Sequence, residues 1–594
     1  MSGHDDEILG KAYDARLMRR LLGYLRPYRR QVALAIVAIA GHSTLTLAPP
    51  YLTKILIDRY IPARDEAGIG LVAVLLLASL VVAFAFQYVE TWTLQMTGQR
   101  IMFDIRMQVY RHLQRLDLRF YDRNPVGRLM TRVTTDVDTL NDLFTSGVVS
   151  IFGDVFTLVG IMVMLVVMDQ RLALVAFSVL PLIWLVAQWF RKNVRESYRT
   201  VRTWIARINA FLQERITGMA TVQLFRREAR DFARFDDIDA QHRDANVDSI
   251  FYYAVFYPAI ELVSALAASL ILWWGGGMVL QDTLTLGSLV AFLQYSSRFF
   301  RPISDMSEKF NTLQSAMASS ERIFGLLDTP VQIESPARPA ARPERGRIVF
   351  DHVTFAYVEG EPVLRDVSFV VEPGQRMAIV GATGSGKTTL MNLLLRFYDV
   401  QQGRITVDGV DIRDLDLTEL RSLFGLVLQD VHLFSGDVAA NVRLGERAID
   451  DAAVRAALTA VHADTFVNAL PGGLATAVAE RGSTLSVGQK QLLSFARALA
   501  FDPRVLILDE ATSSIDTETE TLIRDALRVL MHGRTTIAIA HRLSTIQDMD
   551  CILVLHKGKV RESGTHQELL AARGIYHRLY RLQFKGAEPV EAAG

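Results

Sequence analysis

Residues 381–389 read Gly-Ala-Thr-Gly-Ser-Gly-Lys-Thr-Thr, which fits G-x-x-x-x-G-K-[ST] from Gly381 to Thr388. The pattern follows the apolar run Met377–Val380 and precedes the helical run Leu390–Leu395. Strand, loop and helix in that order make a phosphate cradle. Glycines let backbone N–H groups come close to phosphate oxygens, and the helix N-terminus adds its dipole. The cradle residues are Gly381, Thr383, Gly384, Ser385, Gly386 and Thr389. Lys387 is the cation that reaches the β- and γ-phosphates, and Thr388 is a ligand for Mg²⁺. The alternative is a glycine-rich turn without a ligand, and the flanking strand and helix argue against it.

A second constellation lies downstream. Val505-Leu506-Ile507-Leu508 reads as a buried parallel strand that ends in Asp509 and Glu510. An acid at a strand's C-terminal end can hold Mg²⁺ through water, the role expected of Asp509. Glu510 is then placed to orient or deprotonate an attacking water. His541 follows the run Thr535–Ala540 in the same manner and could polarise a γ-phosphate; alone it would be an ordinary loop histidine. Leu485-Ser486-Val487-Gly488-Gln489 precedes the helical run Lys490–Ala500. A serine hydroxyl and free N–H groups at a helix start form an anion site, so Ser486, Gly488 and Gln489 present a second phosphate-binding surface.

The elements that must carry these groups divide the chain in two. At 594 residues it is too long for one domain, and half of it is hydrophobic. Lys plus Arg (64) balance Asp plus Glu (64), so nothing suggests a nucleic-acid partner. Cys551 is the single cysteine, which excludes an intramolecular disulfide and a cysteine-based metal site. Met1–Gly10 is polar and acidic, without the apolar core of a signal peptide, so insertion is expected through the first span.

Six stretches match the roughly 20 residues that cross a bilayer core. They lie near 32–59, 68–92, 145–168, 171–190, 251–276 and 286–306. Pro49-Pro50 should kink or break the first, and a tight hairpin around Asp169 should join the third and fourth. Arg16, Arg19, Arg20, Arg26, Arg29 and Arg30 crowd the approach to the first span, and segments 93–144 and 191–250 are also rich in Arg. The positive-inside rule puts that side in the cytoplasm. An even number of spans puts the phosphate cradle there as well.

Segments 100–120 and 200–235 repeat apolar residues at helical spacing. The membrane helices are therefore expected to run well into the cytoplasm and turn at Phe120–Gly127 and at Ile216–Met219. His42, Asp154 and Glu261 fall within the spans. Each is costly there unless it faces protein or a wet cavity; they either line a polar translocation cavity or sit where the helices leave the bilayer. Residues 329–347, rich in proline and charge, read as a linker between a membrane domain (1–328) and an α/β domain (348–584), with a loose tail at 585–594.

The pentapeptide at 485–489 resembles the signature sequence of the ATP-binding cassette superfamily, and nearly the whole chain fits that resemblance. It implies ATP and Mg²⁺ as cofactors and a head-to-tail cassette dimer in which each signature completes the partner's ATP site. Tyr357 stands where the family stacks an aromatic on adenine. Gln429 stands where a glutamine contacts Mg²⁺ and senses the membrane domain. Ser513-Ser514-Ile515-Asp516 resembles the D-loop, and Glu480-Arg481-Gly482 the loop peculiar to exporters.

Six spans fused to one cassette resemble a half-transporter of the type IV exporter group, whose coupling helices match the two cytoplasmic turns. The fold class expected is an all-α six-helix transmembrane domain with long cytoplasmic extensions, followed by an α/β P-loop cassette. The resemblance implies ATP hydrolysis coupled to export of a hydrophobic or amphipathic substrate (drug-like compound, lipid or peptide) across the inner (plasma) membrane, among membrane lipids. Val487 departs from the usual Gly. Intact Glu510 with an altered signature is the combination of one subunit of heterodimeric exporters, so a different half-transporter is the favoured partner. A homodimer with a tolerated Val is the alternative. The rival classes are a non-hydrolysing regulator or channel, which can lose Glu510 and His541, and a lipid flippase with the same mechanics. A soluble cassette ATPase is excluded by the spans.

Overall fold

Apolar residues at helical spacing through the first half build long helices, and β-branched runs after residue 347 build sheets. A computed structural model describes residues 14–509, 517–539 and 546–584. It divides into two units: the chain up to Gln114 with Val126–Thr329, and Arg115–Pro125 with the chain from Pro330 onward. Residues 115–125, which contain most of the first predicted turn (Phe120–Gly127), thus group with the α/β part.

In the first unit, five helices among the described residues are long and apolar enough to cross a membrane: Arg26–Tyr60, Glu66–Arg115, Ile151–Met168, Gln170–Thr217 and Glu228–Leu280. The sixth predicted span, 286–306, falls on the helix Leu286–Leu327; the side chains of 300–308 lie outside the described residues. The 50-residue helix Glu66–Arg115 would be about 75 Å long, more than twice the roughly 30 Å hydrocarbon core. The expected extension beyond the bilayer follows from that length.

The first span ends one helix at Thr46 and begins the next at Ala48, with a proline in its first turn. A missing N–H costs nothing there, so the proline pair sets the break. The fourth span, placed near 171–190, is interrupted: one helix ends at Phe177 and the next starts at Leu180, again with proline in its first turn. Asp169 caps the hairpin between spans three and four, accepting from Leu172 N at 2.9 Å.

Several polar groups in the bundle find protein partners. Asp58 accepts from Thr285 Oγ1 (2.6 Å) and Gly287 N (2.7 Å), fastening the first span to the start of the sixth. A Cβ at Gly287 would come within 2.6 Å of Asp58 Oδ1 and of Lys54 O. His42 Nδ1 lies 3.2 Å from Ala83 O of the second span. Asp154 is ion-paired with Lys309, and Glu261 is exposed on the protomer surface. Pairing removes the cost of one isolated charge at membrane depth. Beyond the second predicted turn, where a short helix spans Met219–Leu224, buried Asp231 sits between Arg215 (3.5 Å) and Arg227 (3.3 Å).

The second unit holds two main sheets. Strands β1 (Ile348–Phe355), β2 (Leu364–Val371), β3 (Arg376–Val380), β4 (Gln402–Val407), β5 (Val410–Asp411) and β6 (Phe424–Val427) precede a short pair, β7 (Gly436–Asp437) and β8 (Ala477–Val478). Then come β9 (Val505–Asp509), β10 (Thr535–Ile539), β11 (Cys551–His556) and β12 (Lys559–Gly564). The antiparallel sheet runs β2-β1-β4-β5, and the larger sheet runs β12-β11-β3-β10-β9-β6, parallel except for β12. Between the sheets lies a core that includes Phe350, Ile379, Leu393 and Ile507.

The short helix Leu118–Arg123 also belongs to this unit. Asp117 caps it by accepting from Phe120 N at 3.2 Å, and Pro125 follows its C-cap Asn124. The segment read as a linker is strapped to the cassette. Ser335 Oγ donates to Asp416, Ala340 N to Asp414 O, and one carboxylate, Asp408, accepts from the N–H groups of Glu344, Arg345, Gly346 and Arg347 at 2.7–3.2 Å. Burial raises the Asp408 pKa, but those four donors outweigh it and hold the group below the ordinary carboxylate value.

A depressed folded pKa means that this contribution is complete above the unfolded aspartate pKa and is lost as pH falls through the folded one. Asp408→Asn keeps a residue that tolerates the φ of +52° but turns one acceptor oxygen into a donor. It should cost about 1 kcal/mol of cassette stability near pH 7, with the gap to wild type closing in acid. Thermal melts of the full chain across pH, read with protease cleavage within 336–347, check this.

Candidate nucleotide site

Four parallel strands, β3, β10, β9 and β6, stand side by side with their C-terminal ends on one edge. In register, Ile539 is opposite Ile379 on one side and Asp509 on the other, and Val427 is opposite Leu508. Ligands of open α/β sheets bind at that edge. The loop after β3 is the glycine-rich cradle, and the helix it feeds is Lys387–Leu394. Gln429 is two residues past β6 and exposed, and Asp509 is the last residue of β9. Topology thus brings the cradle, Asp509 and Gln429 to one edge. Glu510, His541 and Ser513–Asp516 lie outside the described residues.

The cradle is shaped by its glycines. Gly386 has φ +106° and Gly384 φ +79°, a left-handed backbone that side chains strain. A Cβ at Gly381 would lie 2.3 Å from Leu555 O, and one at Gly386 2.7 Å from Leu364 Cδ2. Lys387 is buried, with Nζ donating to Gly381 O (2.8 Å) and Ala382 O (3.3 Å), so its ammonium lies over the loop itself. Ser385 Oγ is buried without a hydrogen-bond partner among the described residues. An orphaned hydroxyl beside an ammonium and a helix N-terminus fits a multiply charged phosphate. Thr388 is exposed in the helix's first turn, and Thr389 is buried.

Tyr357, two residues past β1, lies beside this helix. Its hydroxyl donates to Thr389 Oγ1 (3.2 Å) and accepts from Asn392 Nδ2 (3.4 Å). Its ring meets Phe355 (4.9 Å, 88°) and Tyr398 (5.1 Å, 88°) edge to face.

The second anion surface is built separately. Ser486 caps the helix Val487–Ala500 in a reciprocal box: Gln489 N donates to Ser486 Oγ (3.2 Å) and Ser486 N to Gln489 Oε1 (2.9 Å). Val487 is the first helical residue and half exposed, so its β-branch meets no left-handed strain; Gly488 is buried. Just before it, Gly482 (φ +61°) packs against Leu433, where a Cβ would come within 2.7 Å.

Several residues that sequence reasoning missed hold these pieces. Asn441, buried, bridges Phe434 N, Phe434 O and Asp437 O across the turn after Gln429. Arg497 donates to Asn441 O (2.9 Å) and His432 O (3.1 Å), tying that turn to the Ser486-capped helix. Burial lowers the Arg497 pKa. An arginine inside the run Leu492–Ala500 was the available signal.

Comparison with known proteins agrees with this architecture. Residues 32–303 match the ABC transporter transmembrane region and residues 364–513 the ABC transporter family. The chain is 40% identical over 511 residues to a probable multidrug resistance ABC transporter ATP-binding/permease protein of Bacillus subtilis, covering 85% of this chain and 75% of the relative. It is 40% identical over 518 residues to a fatty acid ABC transporter ATP-binding/permease protein of Mycobacterium bovis, covering 87% and 82%. Among solved structures, a bacterial Atm1-family ABC exporter with ATP bound superposes with a TM-score of 0.80 at 30% identity, over 94% of this chain and 99% of that one. With an export-type membrane region and an ATP-binding cassette on one polypeptide, the chain belongs to the ABC exporters and couples ATP hydrolysis to transport as a dimer of half-transporters.

Proposed function

We propose that this half-transporter moves a hydrophobic or amphipathic molecule out of the cytoplasm across the inner (plasma) membrane. The observation that carries the ATP-driven reading is the shared strand edge, which gathers the cradle, Asp509 and Gln429 in a chain that also carries spanning helices. The substrate class is supported by a cavity of about 410 Å³ in the membrane unit. Its walls are almost wholly apolar and include Ile36, Ile39, Leu94, Ile101, Phe152 and Phe156.

In this reading the cradle N–H groups and Lys387 bind the phosphates, Tyr357 stacks the base, and Glu510 orients or deprotonates the attacking water with His541 at the γ-phosphate. Mg²⁺ held by Thr388, Gln429 and, through water, Asp509 would neutralise charge on the phosphates. Ser486, Gly488 and Gln489 meet the γ-phosphate of the partner's ATP. The arginine-rich approach to the first span supports a cytoplasmic cassette.

Two assemblies each have an observation behind them. Glu510 together with the altered signature favours a different half-transporter as partner. The strain-free helical setting of Val487 favours a second copy. Gene neighbourhood would add to this, and Ser486→Ala tests it directly. In a heterodimer, Ser486 caps the slow site, and steady-state ATPase of the natively assembled protein should stay near wild type. In a homodimer both sites lose the positioned hydroxyl and the rate should fall on the order of 10²-fold.

Glu510→Gln should leave ATP binding intact and lower hydrolysis by roughly 10²-fold or more. It should also trap a closed, ATP-loaded dimer, visible by cross-linking; substantial turnover would remove Glu510 from its role. Lys387→Ala deletes a direct phosphate charge and should weaken binding of a fluorescent ATP analogue by about tenfold or more.

A further inference from the structure

We propose that Tyr398 is a positioning residue for the nucleotide base: fastened by its hydroxyl to Asp122 of the first cytoplasmic turn, it holds the Tyr357 ring, so seating of that turn on the cassette sets the affinity of the adenine pocket. The inference rests on the reading of Tyr357 as the base-stacking residue.

Tyr398 is 7% exposed and lies four residues past the cradle helix Lys387–Leu394. Its ring stands edge-on to Tyr357 (5.1 Å, 88°) and to Phe355 (5.7 Å), and Phe355 meets Tyr357 in turn, so three rings brace one another. Edge-to-face contacts depend on ring orientation, and the orientation of Tyr398 is fixed at its far end. Its hydroxyl donates to the Asp122 carboxylate on the helix Leu118–Arg123. Burial raises the phenol pKa and the carboxylate raises it further, so the hydroxyl stays a donor at physiological pH.

A second tie comes from the same turn. Arg119 donates to the main-chain oxygen of Tyr357 at 3.4 Å. Side chain and backbone of the base-stacking residue are thus both referenced to one six-residue helix. Tyr357 in turn reaches the cradle through Thr389. Lifting Leu118–Arg123 would free the Tyr398 hydroxyl, loosen the ring triad and disorder the stacking surface, while the cradle N–H groups and Lys387, held by β3 and its helix, would keep their geometry. By linkage, a bound base would favour the seated turn to the same extent.

The test uses the full chain in its native assembly, with ATPase kinetics and competition by tripolyphosphate, which has phosphates but no base. Tyr398→Phe keeps the ring and removes the tie; Asp122→Ala removes it from the other side without touching the cassette. Each should raise KM for ATP roughly five- to tenfold with kcat at saturation retained, and the double variant should be no worse than either alone. The inhibition constant of tripolyphosphate should not move.

Tyr357→Ala is the control for the underlying reading and should raise KM for ATP without altering tripolyphosphate. If Tyr357→Ala leaves KM unchanged, base stacking there is wrong and the proposal falls with it. If Tyr357→Ala raises KM but Tyr398→Phe and Asp122→Ala do not, stacking stands and the positioning role is overturned. Equal weakening of ATP and tripolyphosphate in the Tyr398 and Asp122 variants would reduce the contact to general folding, which also overturns it.

Discussion

Four parallel strands buried on both faces constrain everything else in the cassette. All five residues of β10 are buried, as are four of five in β3 and β9. Such strands can hold no charge along their length, because an ion there would lose its hydration without a partner. Polar chemistry is pushed to the strand ends, and parallel pairing puts all the C-terminal ends on one edge. The same βα connections aim helix N-termini at that edge, so cations, N–H donors and carboxylates gather there without further design. Asp509, half-buried at the end of β9, marks the boundary where the apolar run may stop.

The membrane unit meets the complementary constraint. Its solvent is apolar, so backbone groups must be satisfied within each helix and charges must be paired. The Asp154–Lys309 ion pair and the Asp58 clasp on Thr285 and Gly287 meet that demand with short-range contacts between spans. Helices of 50 and 53 residues overrun the bilayer. Outside it the rules of water return, and the turns can carry exposed Arg and Asp. The helix Leu118–Arg123 is the product: too short and polar to be stable alone, it is held by its caps Asp117 and Asn124 and by ties to Tyr398 and Tyr357.

What the sequence made legible is what local periodicity and short motifs encode. Strand, cradle and helix at 376–394, the interruption at Pro49-Pro50, the Asp169 hairpin and the two turns beyond the spans all depend on residues within a turn or two of one another. The interruption at 178–179 was missed because the apolar run continues through it and a single Pro181 at a helix start breaks no periodicity. The Asp408 clasp and the Asn441–Arg497 brace were missed for a different reason. Asp408 meets partners 61–64 residues away, and Arg497 reaches back 56 and 65 residues. Asp122 and Tyr398 are 276 residues apart. No spacing rule joins residues that only the folded chain brings together.

The signature segment shows why a departure in side chain need not be one in chemistry. An α-helix leaves its first four N–H groups without internal partners. Here the capping box takes two of them: Gln489 N goes to the Ser486 hydroxyl oxygen and Ser486 N to the Gln489 amide. By helix geometry the remaining two are the N–H groups of Val487 and Gly488, adjacent at the tip and aligned with the helix dipole. The Ser486 oxygen accepts in this box, so its own proton is left to donate outward. An anion arriving at the tip would therefore meet one hydroxyl and two backbone donors, none of which belongs to the side chain of residue 487. A β-branched residue is tolerated there as long as φ is helical, which it is. A Val at this position changes the shape and apolarity of the surface around the helix tip more than it changes the donors there.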